Sequence, residues 1–525
     1  MRKVKNIYAI LLIVFTCALL SSCTNNEEVY INNETINYAY ESNDEDKAVD
    51  DVTTDIIHGT PKVFTGLPIH RDYLLWTSER DREWEQDIRH FGVMALRQHP
   101  LLIDFDLGST SLVFGIGRED YSAAAHAYEV LLRRATARNG LSTGDSADEM
   151  REALRWLFIE RINELILDIP NLNDNEIIFG IAAIAVILDD AHTRMGLPMG
   201  YIFPVEFIAL YDGIYFVAVP EEYEHALYGE LLAINDIGID EIMERLATII
   251  AHENEYYLRQ KVTMPMRYDP IRFRHYVVRP FLKELSVLNY LGVVDDSGRA
   301  NFTVRCENYG VFTIRMSVVD RGDVMDESSL IRHEFNTLMH TNPDEIFWHE
   351  YLSDESLMYV RINSFASVEE MAAFNAASSS FMAELENRHM SEKMQAIVID
   401  VRQNPGGNAE WPAGTDFSIL SEAAYYVYVV IDGGAFSKSV INTSHIMHRV
   451  ENAITIGEPT GQIDNILASH AGLLPNSRMR YNISLMMWVG SDSEDIAIRP
   501  DVFIPLSIDD VINQRDPALE YIISR

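Results

Sequence analysis

The chain has 525 residues, 47% of them hydrophobic, with 80 acidic against 42 basic side chains and a formal charge of −38 at pH 7. An acid excess spread along the chain disfavours anionic partners and offers no basic patch for phosphate, which argues against nucleic-acid binding. The apolar share is ample for two or three hydrophobic cores.

Residues 1–22 carry Arg2, Lys3 and Lys5 ahead of an apolar run from Ile7 to Leu20, closed by Leu20-Ser21-Ser22-Cys23. The run is shorter than the ~20 residues of a membrane span, so it reads as a secretory signal peptide. Its end resembles a lipobox, which implies that Cys23 becomes the lipidated first residue of a lipoprotein. An ordinary signal peptide or an uncleaved anchor are the other readings, and each places the body outside the cytoplasm. The expected location is extracytoplasmic, anchored to the bacterial cell membrane. Loss of residues 1–22 removes three cations and no acids, so −38 becomes −41. Of Cys17, Cys23 and Cys306, only Cys306 is left as a thiol after cleavage and lipidation, so no intrachain disulfide is expected.

Residues 23–68 are acidic, polar and without apolar period, the composition of a flexible tether. An N-terminal helical domain is expected over 69–197, where apolar residues recur at three- and four-residue spacing in Met150 to Leu167 and Glu176 to Leu188. Over 198–260 the texture changes to β-like runs, Tyr201 to Leu210 and Gly213 to Val219. Gly229-Glu-Leu-Leu-Ala-Ile-Asn-Asp236 follows, then a helix predicted from Asp240 to His252. This stretch resembles the end of a degenerate PDZ-like module, and an unrelated β-rich insert is the alternative. Residues 261–345 read as a connector containing a strand pair around Ala300 to Val319.

From residue 346 to 525 strands and helices alternate: strand Leu357 to Ile362, helix Ser367 to Asn387, strand Ala396 to Val401, strand Tyr425 to Ile431, helix Ser437 to Arg449, strand Ala453 to Ile456. The first helix aligns Met371, Phe374, Ser378, Phe381 and Leu385 on one face to pack on a sheet. Such alternation predicts an α/β layer fold within an α+β multi-domain chain.

Two turns in this region carry chemistry. Ala396-Ile-Val-Ile-Asp-Val-Arg-Gln-Asn-Pro-Gly-Gly407 is a buried strand followed by paired glycines, which let the backbone turn sharply and aim N–H groups into open space. Tyr425-Tyr-Val-Tyr-Val-Val-Ile-Asp-Gly-Gly-Ala-Phe-Ser437 is again strand, glycine turn, then helix. A serine there either projects its hydroxyl at a helix N-terminus, where developing negative charge is favoured, or merely caps the helix.

Taken together, in this order and spacing, the turns resemble those of the tail-specific (C-terminal processing) serine protease family. Leu357-Met-Tyr-Val-Arg-Ile-Asn-Ser-Phe365 is similar to its opening strand and Ile399-Asp-Val-Arg-Gln-Asn-Pro-Gly-Gly407 to its Asp-x-Arg-x-Asn-x-Gly-Gly loop. The likeness continues through Ile456-Gly-Glu-Pro-Thr-Gly461, Ile498-Arg-Pro-Asp-Val502 and, upstream, Asp190-Ala-His-Thr193. It implies a ClpP/crotonase-like α/β C-terminal peptidase core, an endopeptidase acting on protein or peptide substrates, and no cofactor. Ser437 would be the nucleophile, with oxyanion donors from the N–H groups of Gly406 or Gly407 and of Lys438.

The lysine that one branch of the family places after Gly-x-x-Thr is absent, because Gly461 is followed by Gln462 and Ile463. The tricorn-like branch implies His192 as base and Glu494 as its orienting acid, with Glu458 the rival for the third place. In lysine-dyad relatives a histidine at this motif is structural. Ala435 stands where relatives usually have threonine and Lys438 where a small residue is common. The competing reading is therefore a catalytically inactive peptide-binding lipoprotein of the same fold. His445, His448 and His470 read as structural or solvent-facing. His333-Glu334 and His349-Glu350 lack the second histidine of a zinc helix, so no metal site is expected. The sequence leaves the oligomeric state open.

Overall fold

The computed structural model describes residues 78–103, 113–115, 121–142, 144, 146–263, 280–321, 330–390, 393–409, 411, 417–490 and 493–525. The expected signal peptide, Cys23 and the acidic tether lie outside the described residues. The architecture is an α/β multi-domain fold.

The N-terminal layer is built from α1 (Glu79–Gln98), the short strand β1 (Val113–Gly115), α2 (Tyr121–Arg138), α3 (Ala147–Asp168) and α4 (Asp174–Val186). Their starts are encoded locally. Ser146 accepts from the Glu149 N–H at the head of α3, and Asn173 forms a capping box with Glu176 at α4. Ile88 and Phe91 of α1, Leu154 and Phe158 of α3, and Ile177 and Ile181 of α4 form the core.

The sheet covering these helices comes from the far end of the sequence. After β2 (Arg194–Met195), a hairpin of residues 466–473 and 480–489 pairs antiparallel within itself, parallel with β1 and antiparallel with β2. Tyr481, Ile483, Met487 and Val489 point into the helical core. Within the 346–525 segment this hairpin buries its apolar face against the N-terminal helices, while Ile466 packs with Val440 and Ile441 of the helix after Ser437.

The middle of the chain contains β3 (Tyr201–Ile202), β4 (Glu206–Leu210), β5 (Gly213–Pro220), β6 (Glu230–Ile234), β7 (Ile237–Gly238), α5 (Ile239–Leu246), α6 (Glu255–Thr263) and α7 (Leu285–Tyr290). It continues with β8 (Arg299–Cys306), β9 (Gly310–Ser317), β10 (Val319–Asp320) and β11 (Leu330–Arg332). One sheet runs β11-β5-β6-β8-β9, with β4 on β5 and β7 on β6. The boundary placed at 260/261 falls inside α6, and β8 and β9, assigned to a connector, complete this sheet, β8 pairing with β6 and β9 with β8. The helix expected to reach His252 stops at Leu246. The β-branched Thr248-Ile-Ile250 that follows is a poor helix former, and Ile249 and Ile250 enter the core as turns instead.

The third layer is a six-stranded sheet in the order β12 (Phe347–Leu352), β13 (Leu357–Ile362), β14 (Met394–Asp400), β15 (Ala424–Ile431), β16 (Ala453–Gly457), then residues 502–503; all neighbours are parallel except β12 with β13. Parallel strands are covered on both faces, so they read as continuous apolar runs. Successive residues serve opposite sides. Val360, Ile397, Ile399, Val427 and Val429 meet α8 (Met371–His389), while Tyr359, Val398, Tyr428 and Val430 meet Ala518 and Ile522 of the C-terminal helix Pro517–Ile523. Phe374, Ser378, Phe381 and Leu385 are buried along α8. Truncating Phe381 to alanine leaves a void under the sheet, and about 3–5 kcal/mol of stability should be lost. Chemical denaturation measures this, and a loss below about 1 kcal/mol would contradict the packing described.

Candidate active site

The Asp-x-Arg-x-Asn-x-Gly-Gly loop leaves the C-terminal end of β14, and each polar member has a structural task. Asp400 accepts from Tyr359 at 2.7 Å, from the Arg361 guanidinium at 3.0 Å and from the Arg402 N–H at 3.0 Å. Arg402 also pairs with Asp516, the N-cap of the C-terminal helix, at 2.6 Å. Burial pushes the Asp400 carboxyl up, but the charges of Arg402 and Arg361 outweigh it and hold it far below the usual carboxylate range. Asn404 donates to the Ile362 carbonyl at 2.7 Å and its Oδ1 accepts the Gly406 N–H at 2.8 Å.

The neighbouring strand β15 ends in the nucleophile turn, and one carboxylate ties the two turns together. Asp432 Oδ1 accepts N–H groups from Gln403 on the first turn at 2.7 Å and from Gly434 on the second at 2.9 Å. Ser437, at the head of the helix Lys438–Arg449, has φ 57° and ψ −121°, a strained conformation for a non-glycine residue, and makes no side-chain cap. The capping explanation for this serine is thereby excluded. Its N–H is held by Gln462 Oε1 at 2.9 Å, and Gln462 Nε2 donates to Glu253 Oε1 in a short contact.

His192 reaches Ser437 from the loop after α4. Its Nε2 lies 3.0 Å from Ser437 Oγ, and its ring stacks on Phe436 at 4.6 Å between centroids. Phe436 stacks in turn with Tyr257 of α6 at 4.2 Å. Asp190 shapes the loop: Oδ1 accepts the His192 N–H at 2.9 Å, and Oδ2 accepts the Thr193 N–H at 3.0 Å and the Ser484 hydroxyl at 2.6 Å, with His99 Nε2 at 3.2 Å. Burial raises the Asp190 carboxyl, yet the adjoining His192 and His99 outweigh that and keep it ionised. Burial, opposed by Asp190, draws His192 below the ordinary imidazole value, so the ring is neutral at pH 7. The His192 side chain is still 12% exposed, which leaves the pair open to a ligand.

The remaining sequence-predicted residues divide. Gly406 and Gly407 adopt φ +93° and +144°, and a Cβ on Gly406 would lie 2.7 Å from Ser437 Cβ and 2.8 Å from Lys438 N. The two turns and the Lys438 main chain therefore meet. Gly406 is corrected as an oxyanion donor, because its N–H is spent on Asn404. The Gly407 N–H has no acceptor among the described residues. The Lys438 ammonium lies 5.1 Å from the centre of the Trp488 ring, a cation–π contact on the indole.

Glu494 is corrected as the partner of His192. Its side chain is 64% exposed and pairs with Arg133 at 3.2 Å. Glu458 is not brought to His192 either. It accepts the Leu506 N–H at 3.0 Å and lines a small cavity with Arg402 and Asp432, where burial lifts its carboxyl to about 7. The imidazole instead has Asp190 and Glu253 beside it. One carboxylate oxygen from each and one His192 ring nitrogen lie within 4.8 Å of one another. Sequence reasoning did not single out Glu253, Asp432 or the role of Gln462. The only available signal was the departure at Gln462, where a lysine was sought.

Residues 356–412, from the start of β13 through the glycine turn, match the description Peptidase family S41. The match covers 57 of the 525 residues, and over that segment the chain is similar to this peptidase family. Solved structures similar to this chain include mature CPAF (12% identity, 75% of this chain and 96% of that one, TM-score 0.46). Others are the photosystem II D1 C-terminal processing protease (12%, 72% and 93%, TM-score 0.31) and the tricorn protease (11%, 85% and 37%, TM-score 0.32). No curated protein matches the sequence.

A Cβ on Gly407 would lie 2.4 Å from the Phe365 carbonyl carbon and oxygen. Gly407→Ala should therefore displace the turn, lowering the thermal unfolding midpoint of the protein by several degrees. An unchanged midpoint would mean that the turn is looser than described.

Proposed function

We propose that this chain is an exported lipoprotein serine endopeptidase that cleaves protein or peptide substrates through an acyl-enzyme on Ser437, with His192 as general base. The observation that carries the reading is the 3.0 Å approach of His192 Nε2 to Ser437 Oγ across more than two hundred residues of sequence. A neutral imidazole at that distance accepts the hydroxyl proton as Oγ bonds to the scissile carbonyl carbon. The resulting oxyanion is met by the Gly407 and Lys438 N–H groups, each typically worth about 3 kcal/mol in such a transition state. His192 returns the proton from Nε2 to the leaving amine as the C–N bond breaks. Water, deprotonated by the same nitrogen, then adds to the acyl carbon, the C–Oγ bond breaks, and Nε2 returns that proton to Ser437 Oγ as the acid leaves. The backbone strain at Ser437 supports this reading, since strained serine turns keep the hydroxyl presented rather than folded onto the helix.

Hydrolysis of fluorescein-labelled casein and labelling by a fluorophosphonate test the reading. Ser437→Ala should abolish both, and His192→Ala should lower both by several orders of magnitude with the fold intact. Glu494→Ala should stay within about threefold of wild type, because its carboxylate serves Arg133. Wild-type protein that neither cleaves casein nor takes up the label, under conditions that label a related protease, would favour the peptide-binding alternative. Because burial holds His192 below its ordinary value, protonation of the imidazole itself should cut activity only below the usual imidazole range.

The lipoprotein part of the reading rests on Arg2, Lys3, Lys5 and the apolar run ending at Cys23. Cys23→Ala should release the protein from the membrane fraction and remove lipid labelling. Unchanged fractionation with retained label would overturn that part alone.

A further inference from the structure

Two buried polar atoms beside the Ser437–His192 pair lack a hydrogen-bond partner among the described residues: Nδ1 of His192 and Oε2 of Glu253. Unpaired buried groups of this kind are costly, and here the two residues that carry them belong to one cluster. A base that accepts a proton at Nε2 must carry its own hydrogen on Nδ1, and that hydrogen needs an acceptor. Asp190 is poorly placed to be one. Its Oδ1 is 3.7 Å from Nδ1, beyond hydrogen-bonding distance, and its two oxygens already serve His192 N–H, Thr193 N–H, Ser484 and His99.

We propose that Glu253 is a positioning residue of this site, its Oε2 serving Nδ1 and so selecting the tautomer of His192, while its Oε1 fixes Gln462 against the Ser437 main chain. The inference rests on His192 acting as the base. Gln462 settles which Glu253 oxygen does which. Its Oε1 takes the Ser437 N–H, so its Nε2 must face Glu253 Oε1, which is bound to accept. Any proton that Glu253 carries therefore sits on Oε2. With that proton in place Oε2 donates to Nδ1, and Nε2 holds the hydrogen, the wrong tautomer for accepting from Ser437. Without it, Oε2 accepts from Nδ1–H and Nε2 is bare.

The charged and titratable groups around Glu253 decide when the switch occurs. Burial is the largest influence and raises its carboxyl. Arg134 of α2 opposes this, while Asp190 and Asp189 of the His192 loop reinforce it, and the result is about 8. Tyr257 on α6 also feels the Glu253 charge, and Gln462 donates a hydrogen bond to Glu253 Oε1. An acid of this value is mostly protonated at neutral pH, so the productive tautomer should gain population as pH rises through about 8.

The test is the second-order rate at which a fluorophosphonate labels Ser437 in the full protein as pH is varied. Wild type should speed up about tenfold between about pH 7 and pH 9, the change in ionised fraction of one group near 8. Glu253→Gln, whose amide can keep the Gln462 contact but places an N–H toward Nδ1, should be slower by at least about a hundredfold and flat over that range. Glu253→Asp should restore a pH-dependent rise. A Glu253→Gln protein that labels at the wild-type rate with the wild-type rise overturns the proposal. Should that variant fail to fold by circular dichroism, the wild-type profile decides, because a flat rate contradicts it. His192→Ala labelling as fast as wild type would overturn the base assignment itself, an outcome distinct from an unaltered Glu253→Gln profile.

Discussion

The site depends on one buried carboxylate. Asp190 is the point at which the end of α1 through His99, the hairpin strand through Ser484 and the His192 loop are joined. Ionised and enclosed, it loses more if one donor is withdrawn than an exposed acid would, since the remaining charge has no water to turn to. Asp189, the residue before it, is drawn the other way and pairs with Arg134 at 3.1 Å and also with Arg138, both on α2. Two successive acids thus fasten the base-bearing loop to three separate elements, which fixes the reach of His192 toward a serine on another sheet.

The serine side is held by comparable logic. Adjacent parallel strands end side by side, so the loops leaving β14 and β15 emerge next to each other at the edge where α/β sheets place their ligands. Asp432 locks the two loops to each other, and the next strand, β16, leads into the segment carrying Gln462. Asn254, just after Glu253, donates to the Thr460 and Ile496 carbonyls at 3.1 and 2.8 Å and so seats the start of α6 on this edge. The middle of the chain is therefore part of the site, through Glu253 and Tyr257.

What the sequence revealed follows from which interactions are local. The strands at 357–362, 394–400 and 424–431 were readable because a parallel strand buried on both faces must be an unbroken apolar run, and glycine turns mark their ends. Ser437 was readable from strand, turn and helix in succession. His192 was reached through resemblance alone, since nothing near it in sequence shows that Ser437 will lie 3.0 Å away. Glu253 follows a stretch read as helix, and one acid among 80 carries no pattern. Glu494 occupied the motif position expected of an orienting acid, but its side chain found Arg133 on α2, a partner contributed by a helix hundreds of residues earlier. The hairpin at 466–489 escaped for the same reason, because its apolar face is explained by helices it meets only after folding.

The most direct measurement of the central claim is a crystal structure of the full protein after reaction with diisopropyl fluorophosphate. The account predicts phosphorus bonded to Ser437 Oγ, the phosphoryl oxygen within hydrogen-bond distance of the Gly407 and Lys438 N–H groups, and His192 still seated on Phe436. Phosphorus on another residue, or an oxygen turned away from both N–H groups while His192 leaves its Asp190-bound loop position, would contradict it.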